Sequence, residues 1–390
     1  MVQIEGKLKK QFDFSLKCYF FGRRKLRRLS IGLQRKKTLP IKVFDFFSGC
    51  GGSSKGFQNA GMEIVCGVDN NKDAANSYEA HFKEAKFFSE DILHIETDAL
   101  KDLVNSCSHH PVLFCGCAPC QPFTKQNTQK SSNGKQLLKE FSRFVTHYQP
   151  ELVFVENVPG MQRFQDNEGP FPDFLKDLSK SGYQYCHDIV TCQDYGVPQK
   201  RRRLILIASR FGPIRFPEKT HGPKSTHPNY STVREWIGDL PAIQAGEIHD
   251  TIPNHRAASL SSKNLDRIRA TPEGGSRKDW PKHLGLDLDC HSGYQGHSDV
   301  YGRMVWDRPA TGLTTRCISL SNGRFGHPEQ DRAISVREAA CLQTFPRDFE
   351  LSGSLNSMAR QIGNALPVKV AECFGRNFVD HVSKYIGVTT

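Results

Sequence analysis

Five short apolar runs recur through the first 210 residues, and polar or glycine-containing segments separate them. The runs are rich in valine, isoleucine, leucine and phenylalanine and are too short for helices, so they are predicted to form buried β-strands. The longer segments between them have helical character. Near-continuous apolar strands that alternate with helices are typical of a doubly wound α/β fold with a mostly parallel sheet. The predicted strands lie at 41–47, 64–68, 112–115, 152–155 and 204–208.

The alternation of strands and helices stops after residue 212, where the chain becomes rich in Pro, Gly, His, Ser and Arg. A smaller, loop-rich region is therefore predicted there. Helical character returns at Val336–Leu342, and one closing helix is predicted at 361–385. The chain thus divides into a basic arm at 1–40, an α/β segment at 41–212, the loop-rich region at 213–330 and a C-terminal return at 331–390.

The composition is that of a globular protein. The chain has 390 residues, 37% of them hydrophobic, which is enough material for a large core. No apolar run approaches the roughly 18 residues that a membrane span needs, so no membrane attachment is expected. The thirteen cysteines form no repeated framework, and a reducing compartment is therefore expected.

The N-terminal arm carries most of the net charge. Residues 1–40 contain twelve Lys or Arg against two acidic residues, Glu5 and Asp13, so they hold a net +10 of the chain's +12. Such an arm suits a polyanion, because basic side chains near phosphates release condensed counterions. A solvated tail explains it equally well, and a transit peptide is a weaker alternative because acidic residues interrupt the arm.

A glycine-rich segment follows the first predicted strand. Asp45-Phe-Phe-Ser-Gly-Cys-Gly-Gly52 places three glycines where the backbone must turn tightly at the start of a helix. Asp69 closes the second strand, where a carboxylate can accept hydrogen bonds from two ribose hydroxyls. Asp91 supplies another carboxylate, near where an adenine amino group could lie. Together these features predict a nucleoside-cofactor site of unspecified kind.

A cysteine-rich segment follows the third predicted strand. In Cys115-Gly-Cys-Ala-Pro-Cys-Gln-Pro-Phe123, Cys120 stands between Pro119 and Pro122, which stiffen the loop around its sulfur. A cysteine held in this way is a candidate nucleophile. The alternatives are a redox pair of Cys117 with Cys120 and a zinc site, but neither a thioredoxin pattern nor a completing pair of ligands accompanies them.

Two further segments place charged side chains at strand ends. Glu156 follows the fourth strand, where a carboxylate can engage a ring nitrogen of a bound base or serve as an ordinary ion-pair partner. Arg201 and Arg203 precede the fifth strand, and the alternation of side chains predicts that they point the same way and Arg202 the other. Guanidinium groups there can fix a carbonyl oxygen, a carboxylate or a phosphate, or form a charged strand edge.

In this order, and together with Gln361-Ile-Gly-Asn-Ala-Leu-Pro-Val368, these segments resemble the cytosine-C5 DNA methyltransferase family. The resemblance extends from about residue 41 to about residue 380. Tyr195-Gly-Val-Pro-Gln199 and Ser335-Val-Arg-Glu-Ala-Ala-Cys-Leu-Gln-Thr-Phe-Pro346 belong to it as well. The ordered set is far more specific than any one segment. It implies a Rossmann-like, S-adenosylmethionine-dependent methyltransferase fold with catalytic and cofactor-binding residues in 41–212.

The resemblance also implies roles for individual residues. Cys120 would attack C6 of the target cytosine, and Glu156 would engage N3 and the exocyclic amine. Arg201 and Arg203 would hold the base and support the nucleophile. The implied cofactor-binding residues are Phe47, Ser48, Gly49, Gly51, Gly52, Asp69, Asn70, Asp91, Ile92, Pro119, Asn364 and Ala365, and no metal is implied.

The implied activity is methyl transfer from S-adenosylmethionine to C5 of a cytosine in duplex DNA, with the base flipped out of the stack. Target recognition would use residues 213–330, whose closing stretch 301–316 resembles that of bacterial members except at Gly312. A monomeric bacterial enzyme in the cytoplasm is expected, with a cognate restriction endonuclease that forms no stable complex with it. The alternatives are a catalytically silent DNA-binding homologue and a methyltransferase of a tRNA cytosine, as in one branch of the family.

Overall fold

The computed structural model of the protein describes residues 39–119, 133–161, 169–288 and 299–386. Cys120 and nearly all of the basic arm lie outside these residues. The described residues from Leu39 onward form one compact unit around a seven-stranded sheet. None of the helices in this part of the chain has the length and apolar character that crossing a membrane requires.

The strands in chain order are β1 (Lys42–Phe46), β2 (Glu63–Val68), β3 (Lys86–Phe88), β4 (Val112–Gly116), β5 (Leu152–Asn157), β6 (Gln184–Thr191), β7 (Gln199–Lys200), β8 (Arg202–Ser209) and β9 (Ala310–Thr311). The main sheet has the order β3-β2-β1-β4-β5-β8-β6, and β7 pairs with β9 in a separate two-stranded sheet. Neighbours from β3 to β5 are parallel, whereas β8 runs antiparallel to β5 and β6. The five predicted strands and the mostly parallel sheet are thus confirmed.

Helices cover both faces of this sheet. Alternate residues of β1 enter two different cores, because successive side chains of a strand point to opposite faces. Phe44 and Phe46 belong to one core, and Val43 belongs to the other.

The α-helices in chain order are α1 (Gly52–Asn59), α2 (Lys72–His81), α3 (Lys101–Ser106), α4 (Asn133–Tyr148), α5 (Pro170–Lys180), α6 (Val233–Ile237), α7 (Ser262–Arg269), α8 (Val336–Leu342), α9 (Leu355–Asn364) and α10 (Val368–Ile386). Helices α4 and α5 line the first core, and α1 and α10 line the second.

The strand order reverses between β1 and β4. From this pair, β2 and β3 extend in one direction and β5, β8 and β6 in the other. In doubly wound sheets, ligands bind in the crevice beyond the carboxyl ends of the strands at such a reversal. The loops that follow β1, β2, β4 and β5 all emerge at this edge, which is called the carboxyl edge below.

Short elements and loops make up the described residues of the range 213–330. A small separate core forms there around Ile268, Trp280 and Tyr301. Buried loop backbone needs hydrogen-bond partners, and the buried Arg303 supplies several of them. Its guanidinium donates to the carbonyl oxygens of Ile268 at 2.9 Å and Thr271 at 2.6 Å, among others. One arginine thereby holds several loops of this region together.

The prediction of one closing helix at 361–385 is wrong. Helix α9 ends at Asn364 and α10 begins at Val368, so two helices occupy this part of the chain. Ala365 leaves the helical conformation with φ −59° and ψ 142°. Pro367 lacks the N–H that a continuous helix would use, and it disfavours helical geometry in the residue before it. The break brings Ala365 against Gly52 at the start of α1.

Candidate active site

The glycine-rich segment turns sharply between β1 and α1. Phe47 has φ 58°, a left-handed conformation that non-glycine residues rarely adopt, and Gly51 follows with φ 93°. A Cβ on Gly52 would lie 2.6 Å from the carbonyl oxygen of Leu366, so the chain after α9 can approach this closely only because residue 52 is glycine. The tight turn therefore depends on both the sequence of the loop and the return of the C-terminal segment.

Asp45 is fully buried beneath this loop. Its Oδ2 accepts a hydrogen bond from Ser54 Oγ at 2.6 Å, and the hydroxyl oxygens of Ser54 and Tyr78 lie 2.9 Å apart. Its Oδ1 has no hydrogen-bond partner among the described residues. Burial raises the pKa of Asp45 to about 6, although the Ser54 hydroxyl opposes this shift. The sequence motif contains Asp45 but does not reveal that its carboxyl group is buried.

Asp69 closes the loop from the end of β2. Its Oδ2 accepts a hydrogen bond from Gly49 N at 2.9 Å, and its Oδ1 accepts one from Asn71 N at 2.9 Å. Burial raises the pKa of Asp69, and the N–H groups of Asn71 and Gly49 act in the opposite direction. Each carboxylate oxygen keeps a further lone pair, so the group can still accept hydrogen bonds from two hydroxyls.

A second carboxylate lies beside this one. Asp91 Oδ2 accepts a hydrogen bond from Asn70 Nδ2 at 3.2 Å, and Asp91 Oδ1 accepts one from Leu93 N at 3.1 Å. The neighbouring Ile92 is buried in the core below. The structure thus brings the predicted cofactor residues of the first three strand ends together at the carboxyl edge.

The cysteine-rich segment leaves β4 next to the glycine-rich loop. Cys117 Sγ lies 3.3 Å from Ser53 Oγ of α1, and Asn157 Nδ2 donates a hydrogen bond to Ala118 O at 3.1 Å. This stretch of described residues ends at Pro119, so the predicted nucleophile Cys120 lies outside it, as does the alternative redox pair with Cys117. Asn157 was not among the predicted site residues. Its hydrogen bond fixes the backbone from which the predicted nucleophile loop departs.

Glu156 and Arg203 form a close ion pair at the end of β5. Arg203 Nε lies 2.5 Å from Glu156 Oε1, and Glu156 is only 6% exposed. Their strands are antiparallel neighbours in which Leu204 pairs with Asn157, and this register places the two side chains together. A buried carboxylate is stabilised by such a partner, because it would otherwise lose its hydration without compensation.

Arg201 lies at the same strand end, but its guanidinium contacts backbone. Nη1 donates to the carbonyl oxygen of Leu313 at 2.7 Å, and Nη2 donates to those of Gly363 at 2.8 Å and Ala365 at 3.2 Å. Burial, and then the neighbouring charge of Arg203, lower the pKa of Arg201 to about 9. Arg202 is exposed, whereas Arg201 and Arg203 on either side of it are less exposed, as the alternation of side chains predicts. Arg201 thereby joins the end of the loop-rich region to α9.

The segment after α9 returns to the cofactor loop. A Cβ on Gly52 would lie 3.2 Å from Ala365 Cβ, so these two residues are in direct contact. Asn364, the last residue of α9, is exposed beside them. The two predicted residues from the far end of the chain thus reach the same edge as the glycine-rich loop.

Two buried glutamines, to which the sequence analysis gave no role, connect these segments. Gln199 Nε2 donates to Gln343 Oε1 at 2.7 Å, and Gln199 Oε1 accepts a hydrogen bond from Leu313 N at 3.1 Å. Gln343 Nε2 donates to the carbonyl oxygen of Ile362 at 2.6 Å. Both glutamines lie inside the segments that carry the family resemblance. The structure adds that they are completely buried and that they bind backbone from three parts of the chain.

The described residues contain no group of three or more His, Cys, Asp or Glu side chains placed to hold a metal ion. The ten cysteines among them are free thiols. Burial raises the pKa of most of these thiols, including Cys50 and Cys317, each to about 12, so they are poor nucleophiles.

Comparisons with known proteins point to one family. The model of the C-5 cytosine-specific DNA methylases matches residues 41–380. The Type II methylase M.HgiDII of Herpetosiphon aurantiacus is 40% identical over 343 residues, which cover 86% of this chain and 94% of that relative. The Type II methyltransferase M1.HphI of Haemophilus parahaemolyticus is 31% identical over 341 residues, covering 86% of this chain and 85% of the relative.

Solved structures share the fold. A candidate DNA modification methyltransferase encoded within an Escherichia coli prophage superimposes with a TM-score of 0.66 at 22% identity, over 88% of this chain and 99% of its own. A triple mutant of Spodoptera frugiperda DNMT2 superimposes with a TM-score of 0.56 at 18% identity, over 86% of this chain and 99% of its own. At these identities the likeness concerns the fold alone.

Proposed function

Since this chain belongs to the C-5 cytosine-specific DNA methylase family and is a DNA cytosine-5-methyltransferase, we propose that it methylates a cytosine within a specific sequence of duplex DNA. The proposal includes flipping of the target base and transient attack of Cys120 on its C6. The observation that carries the proposal is the ion pair of the buried Glu156 with Arg203, which lies at the carboxyl edge where the cofactor loop also emerges.

The described residues fit the cofactor that the family implies. S-adenosylmethionine, when bound, supplies a methyl group activated by its sulfonium centre. Asp69 would hold the ribose hydroxyls with the lone pairs that its two backbone partners leave available. Asp91 would accept a hydrogen bond from the adenine amino group. A Cβ added at Gly49 would meet nothing within 4 Å, so the glycine-rich loop has open space beside it for the rest of the cofactor.

The chemistry requires that C5 of cytosine become a nucleophile. The thiolate of Cys120 would form a bond to C6, and the ring electrons would then move toward N3 and C5. Glu156 would hold a proton at N3, a preorganised electrostatic contribution worth roughly a few kcal/mol. After C5 has been methylated, a base from the solvent would take the C5 proton while the C6–S bond breaks, so that Cys120 leaves as the thiolate and the aromatic ring is restored.

Arg201 and Arg203 would have different tasks in this scheme. Arg203 holds Glu156 in place and keeps donors with which to bind the carbonyl oxygen of the base. Arg201 was predicted to act in the same way, but its hydrogen bonds go to the backbone at Leu313 and Gly363. We therefore assign Arg201 to the wall of the base pocket, as a positioning residue.

Binding to DNA would have to offset the free energy of unstacking the target base, which is a few kcal/mol. The loop-rich region at 213–330 is the proposed recognition region, since polar side chains on loops can read the edges of bases in the major groove. We further propose a monomer in the bacterial cytoplasm, with a cognate restriction endonuclease that recognises the same sequence but forms no stable complex.

A label-transfer assay tests the proposal. The purified protein would be incubated with tritiated S-adenosylmethionine and genomic DNA that lacks cytosine methylation, and bisulfite sequencing would then locate the modified cytosines. Cys120→Ser is expected to abolish labelling. Cys186→Ser is the matched control, because Cys186 is half-buried on β6 and its Sγ donates a hydrogen bond to the carbonyl oxygen of Ile214, which a serine hydroxyl can also do.

Three outcomes separate the hypotheses. Labelled C5 of cytosine at one sequence, lost with Cys120→Ser and kept with Cys186→Ser, would support the proposal. Label on tRNA but not on DNA would favour the tRNA methyltransferase instead. A folded protein that binds S-adenosylhomocysteine and DNA but transfers no label would favour the silent homologue.

A further inference from the structure

Arg316 and Arg360 are exposed arginines on two segments that pack against each other. Arg316 lies in the turn that follows β9. Arg360 lies on α9 one turn before Asn364, so these two side chains share a face of the helix. The exposed residues Thr315, Arg316, Arg360 and Asn364 are called the arginine ridge below.

The arginine ridge lies beside the candidate active site. Arg201 binds the backbone of both segments, through Leu313 O at 2.7 Å and Gly363 O at 2.8 Å. Two residues further along the chain, Arg203 contacts Glu156. A base that enters the site against Glu156 keeps its sugar and its two phosphates outside the pocket. Those phosphates would therefore pass close to the ridge.

The backbone of the ridge is fixed before any ligand binds. A Cβ on Gly363 would overlap the backbone of Thr314, so α9 and the turn touch directly. Cys317 Sγ lies 3.9 Å from the carbonyl oxygen of Ala359, one turn earlier on the same helix. A ligand held by this surface would not have to order the main chain that presents the two arginines, which favours affinity.

Among the described residues, no side chain neutralises the two guanidinium groups. No carboxylate oxygen of a described residue lies within the 4.0 Å ion-pair distance of either one. Several other exposed arginines do have such partners: Arg234 pairs with Asp307, Arg347 with Asp239 and Arg376 with Glu372. Two uncompensated arginines presented by a rigid surface are suited to an anion, and the planar guanidinium fork matches phosphate in particular.

We propose that Arg316 and Arg360 bind the phosphates that flank the target cytosine on the strand being methylated. This inference rests on the proposed function, because it takes duplex DNA as the substrate. The ridge would hold the sugar–phosphate backbone at the mouth of the pocket while the base is out of the stack. Such contacts set position and affinity and do not distinguish between DNA sequences.

The salt dependence of DNA binding gives a direct test. The dissociation constant of a fluorescein-labelled, mixed-sequence 30-base-pair duplex would be measured by anisotropy from 50 to 300 mM KCl. The proteins compared are the wild type, Arg316→Ala, Arg360→Ala and the double variant. Each single substitution is expected to weaken binding about 3- to 10-fold and to lower the slope of log K against log salt by about 1.

Arg215→Ala is the matched control. Arg215 is also exposed and has no carboxylate partner among the described residues, but it follows β8 at the opposite edge of the sheet. At that edge the last residue of β8, Ser209, pairs with Leu152, the first residue of β5, so Arg215 follows the end of β8 that lies away from the carboxyl edge. Replacing Arg215 removes the same net charge and should leave the slope of log K against log salt unchanged. Binding of S-adenosylhomocysteine should be equal in all variants, which verifies that they are folded.

Two results would overturn the inference. If the ridge variants lose no more affinity than Arg215→Ala, the effect is one of net charge and the ridge does not bind phosphate. If they weaken binding without lowering the salt slope, the two arginines act on something other than the DNA backbone. A wild-type protein that binds no duplex would instead contradict the proposed function itself, and the ridge inference with it.

Discussion

The guanidinium of Arg201 donates a hydrogen bond of 2.8 Å to the carbonyl oxygen of Gly363, although 162 residues separate the two in the chain. The same side chain binds Leu313 O. Three segments that carry the family resemblance are thereby joined by one buried cation. This arrangement explains how residues that are far apart in the chain form one edge of the active site.

Arg201→Lys should lower the free energy of unfolding by about 2–3 kcal/mol, because lysine keeps the charge but cannot reach the carbonyl oxygens of both Leu313 and Gly363. Urea denaturation followed by circular dichroism would measure this change. Arg202→Lys is the control, since Arg202 is exposed and should change stability by less than about 0.5 kcal/mol. An Arg201→Lys protein as stable as the wild type would show that the positioning role is wrong.

Glu156→Gln should reduce the rate of methyl transfer to DNA by about 10²- to 10³-fold, because an amide cannot exchange a proton with N3 as a carboxyl group can. Single-turnover labelling of DNA would give the rate. The affinity for S-adenosylhomocysteine should stay unchanged, which separates chemistry from cofactor binding. Glu151→Gln, just before the other end of β5, is the control: its Oε2 accepts from Val112 N, and an amide oxygen can do the same. Equal rates for both variants would remove Glu156 from the mechanism.

Asp69→Asn should weaken binding of S-adenosylhomocysteine by about tenfold, equivalent to about 1.4 kcal/mol. The amide retains one acceptor oxygen, whereas the carboxylate now uses one oxygen for Gly49 N and the other for Asn71 N. Isothermal titration calorimetry would report the affinity. Glu90→Gln removes the exposed carboxylate that precedes Asp91 and should have little effect. If the two substitutions weaken binding equally, general electrostatics and not the ribose contact is responsible.

Gly363→Ala and Gly312→Ala form a matched pair of substitutions. A Cβ at residue 363 would overlap the carbonyl group of Thr314, and this backbone cannot move without disturbing the turn after β9. A Cβ at residue 312 would lie 3.4 Å from Lys200 O, which is ordinary contact. Thermal unfolding should show a loss of about 3 kcal/mol or more for the first substitution and less than about 0.5 kcal/mol for the second. A tolerated Gly363→Ala would mean that α9 does not touch the turn.

The buried Asp45 predicts a dependence of stability on pH. Burial raises its pKa from 3.8 to about 6 in the folded protein. Between these values the folded state binds more protons than the unfolded state, so this group makes the protein less stable as pH rises from about 4 to about 6, by up to roughly 3 kcal/mol. Asp45→Asn should remove this pH-dependent loss of stability.

Urea unfolding of the wild type and Asp45→Asn at several pH values from 4 to 7 would measure this effect. The difference between the two curves should grow up to about pH 6 and then stay constant, since the remaining groups titrate alike in both proteins. Parallel curves throughout would show that Asp45 has an ordinary pKa. Asparagine can still accept the hydrogen bond from Ser54, so local packing should be preserved.

The periodicity of apolar residues was sufficient to predict the sheet. Strands such as β4 and β5 are buried on both faces, and the runs 112–115 and 152–155 within them are therefore entirely apolar. The short edge strand β3 and the half-exposed β6 were not predicted, because their side chains are only partly buried and leave a weaker pattern. The break between α9 and α10 was missed although Pro367 stands there, because the apolar periodicity continues on both sides of it.

The sequence by itself determined the fold class, the family and which residue types meet at the strand ends. These properties depend on local patterns: apolar runs, glycines where the backbone must turn, and charged residues just beyond the strands. The partners of those charged residues were decided only by the tertiary structure. Glu156 meets Arg203 because β8 is antiparallel to β5, and Arg201 turns to Gly363 because the chain returns after α9. Contacts between segments so distant in the chain depend on packing, and no local pattern encodes them.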